Sequence, residues 1–384
     1  MGTYRVMPVT TSDYRRLSEK RLPRFLFDYI DGGAGEEHSL ADNVDDFRRF
    51  RLRQRVLVDV DHVDTSAVIG GRPASMPLAL APVGLAGMFG RRGEVQGARA
   101  AARASVPFTL STVGICPIAE VQAAVSDPVW FQLYMLRDRG VVQALLDRTR
   151  SAGCDTLVFT VDLPLPGARY RDFRNGMLGS GLRAGLARAW QLLTRPRWLL
   201  DVGVRGKPHG FGSLNEVLGT TGGLDDLMEF INAQFDPTVT WNDIEWLRGL
   251  WNGRLLIKGV MSAEDARTAV AVGADGVVVS NHGGRQLEGV ASSISKLPEV
   301  VSAVGSQTEV LVDGGVRSGT DIVKALALGA DGVLIGRPWV WAMSARGEEG
   351  LADLLAVFQK EIAITMALMG VTRVEDITPE LLES

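Results

Sequence analysis

From residue 77 onward the chain alternates short apolar runs with stretches whose apolar positions recur every three or four residues. The first kind reads as a strand buried on both faces, the second as a helix laid over it. The predicted strands are Leu78–Val83, Phe108–Ser111, Trp130–Tyr134, Thr156–Asp162, Leu255–Gly259, Gly276–Ser280, Glu309–Asp313 and Gly332–Gly336. Helices such as Glu94–Ala104, Val141–Ser151, Ala263–Val272 and Asp321–Leu328 fall between them, with Gly153, Gly273, Gly305 and Gly329 where helices stop. The tetrapeptide Gly-Ala-Asp-Gly recurs at 273–276 and 329–332, at equivalent places in two such units. Eight strand–helix units in 384 residues predict an α/β fold, a (β/α)8 TIM barrel. The competing arrangement is an open doubly wound sheet; against it, no strand runs into a Gly-x-Gly-x-x-Gly turn.

Two segments break the rhythm. Residues 1–76 predict a helical cover: a helix over Asp13–Lys20 with Ser12 as N-cap, a second over Pro23–Ile30, a third over Ser39–Phe47, then extended chain over Leu52–Val58. Roughly residues 163–240 separate the fourth strand from its helix, Trp241–Trp251, an insertion longer than an ordinary barrel loop. Within it, Leu182, Leu186, Ala189 and Leu193 share one helical face near Trp190 and Trp198. Arg183, Arg188, Arg195, Arg197, Arg205 and Lys207 are opposed only by Asp201, a local charge of +5. Such a stretch suits an anionic membrane surface; a helix packed on the barrel is the alternative. The tail from Trp339 to Gly370 reads as mostly helical, and the whole chain, 1–384, as a single barrel domain.

In a barrel, side chains at the carboxyl ends of the strands carry the chemistry. Read in order, those ends hold Ala81-Pro82-Val83-Gly84, Ser111-Thr112, Gln132-Leu133-Tyr134, Thr160-Val161-Asp162, Lys258, Ser280 with His282, Asp313-Gly314-Gly315, and Gly336-Arg337. A ring of polar groups closing apolar strands is not what a core requires. Gly314-Gly315 and Gly336-Arg337 stand at the last two strands, where barrels bind phosphate through backbone N–H groups. Arg169 follows the fourth strand and Arg285 the sixth. His moves protons near neutral pH, and Arg forms a two-pronged contact with a carboxylate. Together they suggest chemistry on an organic acid.

Composition narrows the field. A net charge of -4 and a pI near 5.7 leave no global basic footprint for nucleic acid. Cys116 and Cys154 make neither a metal spacing nor an expected disulfide, which fits a reducing cytosolic compartment. Met1 to Thr11 lacks a signal-peptide core, and no run of about 18 apolar residues is present to span a membrane.

The stretch Ser280-Asn281-His282-Gly283-Gly284-Arg285-Gln286-Leu287-Glu288-Gly289 resembles the active-site signature of the FMN-dependent 2-hydroxy-acid dehydrogenases and oxidases. The resemblance extends over nearly the whole chain, through Asp31-Gly32-Gly33-Ala34, Arg91-Arg92-Gly93-Glu94-Val95, Trp130-Phe131-Gln132-Leu133-Tyr134, Pro166 to Asp172 and Ile257-Lys258-Gly259. It implies His282 as catalytic base with Asp162 as its partner. It implies Arg169, Arg285 and Tyr29 on the substrate carboxylate, and Tyr134 against the substrate. FMN would be held by Pro82, Val83, Gly84, Ser111, Gln132, Thr160, Lys258, Ser280, Asp313, Gly314, Gly315, Arg317, Gly336 and Arg337. No metal is implied.

Ala81 to Met88 and Pro164 to Asp172 are most similar to the bacterial respiratory L-lactate branch of that family. This implies oxidation of an L-2-hydroxy acid, L-lactate first, with electrons passing to a quinone or another carrier. It also implies a peripheral position on the cytoplasmic face of the membrane, with a soluble cytoplasmic enzyme as the alternative, and a homo-tetramer. Gly84 and Val113 stand where the plant-type oxidases carry Ala and Trp, which leaves room for a larger side chain and makes a mandelate-type dehydrogenase an alternative; an oxygen-using oxidase is another, with a non-catalytic flavin protein behind them.

Overall fold

The structure is a computed structural model that describes residues 8–175, 177, 182–219 and 233–383; parts of the predicted insertion lie outside the described residues. Eight parallel strands form one sheet: β1 (Leu78–Leu80), β2 (Thr109–Ser111), β3 (Trp130–Leu133), β4 (Thr156–Thr160), β5 (Arg254–Val260), β6 (Gly276–Val279), β7 (Glu309–Asp313) and β8 (Gly332–Ile335). Each pairs with its sequence neighbour, β8 pairs with β1, and a parallel bridge between Leu80 and Phe108 completes the circle from β1 to β2. The predicted barrel is therefore the observed one.

Alternation along the strands explains both layers of the core. Ala79, Trp130, Val158, Leu256, Val278, Leu311 and Leu334 point into the barrel and pack with Ile69 from a hairpin that plugs its lower end. Their neighbours, such as Leu80, Phe131, Phe159, Ile257, Val277 and Val333, point outward into a second cluster shared with the helices. Those helices are α1 (Gly93–Arg103), α2 (Ile118–Ala123), α3 (Arg139–Ser151), α4 (Trp241–Leu250), α5 (Ala263–Ala271), α6 (Ser293–Val304), α7 (Gly319–Ala327) and α8 (Arg337–Leu368), the last broken at Gly347. Asp138, Ser262, Ser292 and Ser318 cap α3, α5, α6 and α7 by accepting from backbone N–H groups of the first turn.

The cover departs from expectation in detail. Its first helix runs Thr11–Arg21, and the cap is Thr10, not Ser12, because Thr10 and Asp13 bond reciprocally in a capping box. The second helix is Arg24–Asp31 and the third His38–Asp45, ending in a 3-10 turn. Of the extended stretch predicted after it, Leu52–Val58, only Leu52 joins a ladder, together with Arg51 before it, antiparallel with Leu382–Glu383.

The insertion contains the expected helix, Leu182–Leu193, and further helical pieces: Tyr170–Arg174, Pro196–Trp198, a π-helical turn at Leu199–Val204, and Gly212–Leu218. The helix Leu182–Leu193 is laid on the cover by its polar side. Gln191 accepts from the Phe25 amide at 2.8 Å and donates to the Asn175 carbonyl at 3.1 Å, and Arg195 just beyond donates to the Leu22 carbonyl at 3.0 Å. Leu186, Trp190 and Leu193 face outward. Trp198 corrects the expectation that it joins Trp190 on a surface face. It is buried, with its indole N–H on the Met88 carbonyl at 2.8 Å, and anchors the segment to the barrel. Among the described residues, no helix is long and apolar enough to cross a membrane.

Candidate active site

The inward-facing alternation that makes the barrel core runs on by two residues and turns polar. Trp130 leads to Gln132, Val158 to Thr160, Leu256 to Lys258, Val278 to Ser280 and Leu311 to Asp313, all buried. Burying polar atoms costs free energy unless they are bonded, and most here are. Lys258 Nζ donates to Ser280 Oγ at 2.8 Å and lies 2.9 Å from Asp313 Oδ2. Burial disfavours the ammonium, yet Asp313 and Asp162 outweigh it and hold the Lys258 pKa above its ordinary value. Ser111 Oγ donates to Gln132 Oε1 at 2.9 Å. Gln132 Nε2 and Thr160 Oγ1 are buried without a hydrogen-bond partner among the described residues.

His282 sits past the end of β6 with φ +57, followed by Gly283 at +65 and Gly284 at +70. A left-handed non-glycine residue is uncommon, and here it turns the imidazole toward β4. His282 Nδ1 lies 2.7 Å from Asp162 Oδ1, and the His282 amide donates to Ser280 Oγ at 3.0 Å. The backbone of β5 makes room for that pair. It bulges at Gly259, where φ is +109 and a Cβ would come within 2.7 Å of Asp162. Burial alone would raise the Asp162 carboxyl; His282 and Lys258 outweigh it and leave it below its ordinary value. An ionised Asp162 on Nδ1 leaves Nε2 as the imidazole's free proton-accepting atom.

The guanidinium groups converge from two loops and share one ring. Arg169 and Arg285 each place Cζ 5.0 Å from the centre of the Tyr29 ring. Arg285 Nη1 donates to the carbonyls of Tyr29 at 2.6 Å and Gly32 at 2.8 Å. Burial and the neighbouring Arg169 lower the Arg285 pKa, an arrangement that a bound anion relieves. Tyr29, Tyr134, Arg169, His282 and Arg285 line one cavity with Pro82, Val83, Gly84, Thr160, Lys258, Asp313, Gly314, Gly315, Arg317, Gly336 and Arg337. Asp162, Ser111, Gln132 and Ser280 stand behind that lining; Asp162 and Ser280 are bonded to it, and Ser111 and Gln132 to each other.

Two residues at the phosphate end also have packing partners outside the cavity. At Gly315, which lines the cavity, a Cβ would come within 1.8 Å of the Asn43 carbonyl on the cover. Arg337 spends its donors on the carbonyls of Asp31, Gly32 and Gly283, so it caps the end of helix Arg24–Asp31 as well as lining the cavity. Burial pushes Arg317 down to about 10 and lowers Arg337 strongly, with Arg285 and Arg317 adding repulsion at Arg337. Crowded buried guanidiniums at the N-terminus of α8 fit a phosphate dianion, and the two unpartnered polar atoms of Gln132 and Thr160 fit a polar ring edge.

Sequence reasoning missed Gln286 and Asp172. Gln286 Nε2 donates to the carbonyls of Asp162 at 2.9 Å and Leu165 at 3.0 Å, and its Oε1 accepts from the Gly167 amide at 3.1 Å, stapling the two arginine-bearing loops together. Asp172 is buried 3.2 Å from Arg169 Nε, its pKa raised by burial against the pull of Arg169 and Arg285. Both lie inside motifs already quoted; the missing signals were the burial of Asp172 and the partners of Gln286, which are distant in sequence.

A parallel barrel that reserves its strand ends for a proton-accepting imidazole, a guanidinium pair and an anion cradle defines a flavin-dependent oxidoreductase class. The chain belongs to the FMN-dependent dehydrogenase family, whose model matches residues 18–384, and its cofactor is FMN. It is 52% identical over 373 residues to an L-lactate dehydrogenase of Alcaligenes faecalis, covering 97% of this chain and 98% of that one. It is 54% identical over 373 residues to an L-lactate dehydrogenase of Caulobacter vibrioides, covering 97% of each. Among solved structures, a monotopic membrane protein, (S)-mandelate dehydrogenase, superposes with a TM-score of 0.91 at 36% identity, covering 98% of this chain and 100% of that one.

Proposed function

We propose that the chain oxidises L-lactate to pyruvate and passes the electrons to a quinone or another carrier. The observation that carries this reading is the His282–Asp162 pair at 2.7 Å in one cavity with two guanidiniums over a common tyrosine. Arg169, Arg285 and Tyr29 hold the substrate carboxylate, and Tyr134 contacts the substrate. With the carboxylate fixed, His282 Nε2 takes a proton from the hydroxyl or from C2, and Asp162 steadies the resulting imidazolium. Bound FMN supplies a two-electron acceptor. Pro82, Val83, Gly84, Ser111, Gln132, Thr160, Lys258 and Ser280 would hold its ring system, with Lys258 placing a positive charge beside it. Asp313, Gly314, Gly315, Arg317, Gly336 and Arg337 would hold its tail.

The names of the relatives support lactate as the acid. Mandelate is the second reading, favoured by the small residues at the substrate end: a Cβ at Gly84 would come within 2.6 Å of Val113, so glycine and valine together keep that wall thin. The outward apolar face of Leu182–Leu193 supports a peripheral position on the cytoplasmic face of a membrane, where a quinone is at hand. One catalytic domain per chain, assembled as a tetramer, completes the reading.

Anaerobic mixing with a panel of L-2-hydroxy acids tests it. L-Lactate should bleach the flavin absorbance fastest, and a quinone analogue should restore the colour faster than oxygen does. A yellow protein that no hydroxy acid bleaches would return the chain to a binding role.

A further inference from the structure

Next to the cavity that holds His282 lies a second one of about 440 Å³. Met135, Phe159, Pro164, Val239, Trp241 and Ile244 give it an apolar wall, with Asp236, Thr240 and Asp265 also lining it. That volume is in the range of small-molecule sites, and the roles given above leave it unused. The two cavities share Tyr134, Thr160, Leu163 and Phe235, so these four side chains are the wall between them. Thr160 is short and belongs to a strand end; the bulk of the wall is Leu163 and the two rings. The Phe235 ring lies 5.0 Å from that of Tyr134, tilted by 34°, and is buried. Its backbone is pinned on both sides. Phe235 bridges to Leu136, and Asp236 pairs with Arg139 at 2.8 Å. The ring is therefore a fixed partition.

We propose that Phe235 sets the side-chain range of the substrate. It closes the apolar cavity off from the substrate position, and without its ring that cavity becomes a subsite for the alkyl or aryl side chain of a longer 2-hydroxy acid. This inference rests on the hydroxy-acid reading. Moving one methylene from water into such a cavity favours binding about fourfold, and 2-hydroxyoctanoate carries several more than lactate.

The test is kcat/KM for L-lactate, L-2-hydroxyoctanoate and L-phenyllactate, with a soluble dye, on the FMN-loaded full chain. The proteins compared are the parent, F235A and F235A/V239W, the last refilling the cavity from a residue that lines it but not the first cavity. The octanoate-to-lactate ratio should be low in the parent, rise at least about 30-fold in F235A, and return to within about threefold of the parent in F235A/V239W. Where F235A fails to retain FMN, F235V carries the same comparison. An unchanged ratio in a flavin-loaded variant, a ratio that V239W does not reverse, or a parent that already takes octanoate as readily as lactate would each overturn the proposal. The failures separate: a parent that oxidises no hydroxy acid overturns the reaction reading and this one together, whereas oxidation with a fixed chain-length preference overturns only the role of Phe235.

Discussion

The strand ends of the barrel and the helix Leu182–Leu193 break the same rule in opposite directions. At the strand ends Gln132 and Ser280 are 0% exposed and Lys258 4%, polar groups held where a core would be apolar. On the helix Leu186 is 62% exposed, Trp190 70% and Leu193 67%, apolar groups shown where a surface would be polar. Scattered exposed leucines are ordinary, but three on one face of a helix docked by its polar side are not. Each region gives up folding free energy, and the proposed function accounts for both: a bound flavin and acid at the first, an apolar surface at the second. The difference lies in how rigidly each is built. The strand ends are tied by ladder pairing and by Lys258, Asp313 and Gln286, whereas the helix is attached through a few bonds to the cover.

The sharpest break falls in the first region. His282→Gln removes the proton acceptor while leaving the cofactor contacts, so flavin content should persist. Reduction by substrate should slow by about 10²- to 10⁴-fold, the ordinary contribution of a general base. Stopped-flow absorbance at the flavin band measures it, and normal reduction with normal flavin content would refute the assignment. Next comes Arg285→Lys. An ammonium keeps charge but not the fork, and it cannot bond the carbonyls of Tyr29 and Gly32 while also meeting a carboxylate. The expected loss is about 2–3 kcal/mol, or roughly 30- to 150-fold in kcat/KM. A variant within about threefold of the parent would take Arg285 out of the carboxylate role.

These two residues were legible in the sequence because the strand pattern carries its own coordinates. Once Val278 is known to face inward, Ser280 follows by alternation and His282 by chain order, with no long-range information needed. The eight strands were found for the same reason, with ends misjudged by a residue or more, as at Val83 and Asp162. What stayed hidden depends on partners distant in sequence. Nothing local says that Trp198 would reach the Met88 carbonyl, that Arg337 would cap a helix over 300 residues earlier, or that Asp172 would be buried against two arginines. The stripe of Leu186, Ala189 and Leu193 was visible, but which way it faced was not. That was decided by Gln191 and Arg195 finding backbone groups at Phe25 and Leu22.

A smaller effect should come from the seam between the two regions. Asp31, buried on the cover, accepts from Arg15 at 2.6 and 2.7 Å and from Arg171, on the helix Tyr170–Arg174, at 2.8 Å. Burial opposes its ionisation, but Arg15 and Arg171 hold its pKa below the ordinary 3.8. A depressed carboxyl contributes stability in full above its unfolded value and loses it as pH falls through the folded one. Asp31→Asn should cost about 2 kcal/mol at neutral pH, discounted because both arginines are partly exposed. The parent's Tm should fall more steeply than the variant's as pH drops below 4, so that the two converge in acid. Parallel curves would show that the pair contributes nothing.

The smallest effect on turnover, and the one that tests the comparison from its other side, belongs to the helix. Replacing Leu186, Trp190 and Leu193 together by Ser leaves Gln191 and Arg195 to hold the helix in place and touches no barrel strand. Turnover with a soluble dye should stay within about twofold, under half a kcal/mol. Membrane binding should be lost at physiological salt. Burying each of these side chains in an interface is worth about 1.5–3 kcal/mol. Basic residues near an anionic leaflet add about 1 kcal/mol each, an attraction that fades within roughly 8 Å at physiological salt. The local charge of +5 between residues 183 and 207 is untouched by the substitutions. At low salt the variant should therefore still pellet partly with anionic vesicles, and at physiological salt it should stay in the supernatant while the parent pellets. If the parent fails to pellet at either salt, the exposed face serves a protein partner instead. If the variant pellets as well as the parent at physiological salt, charge alone does the binding and the outward leucines are incidental.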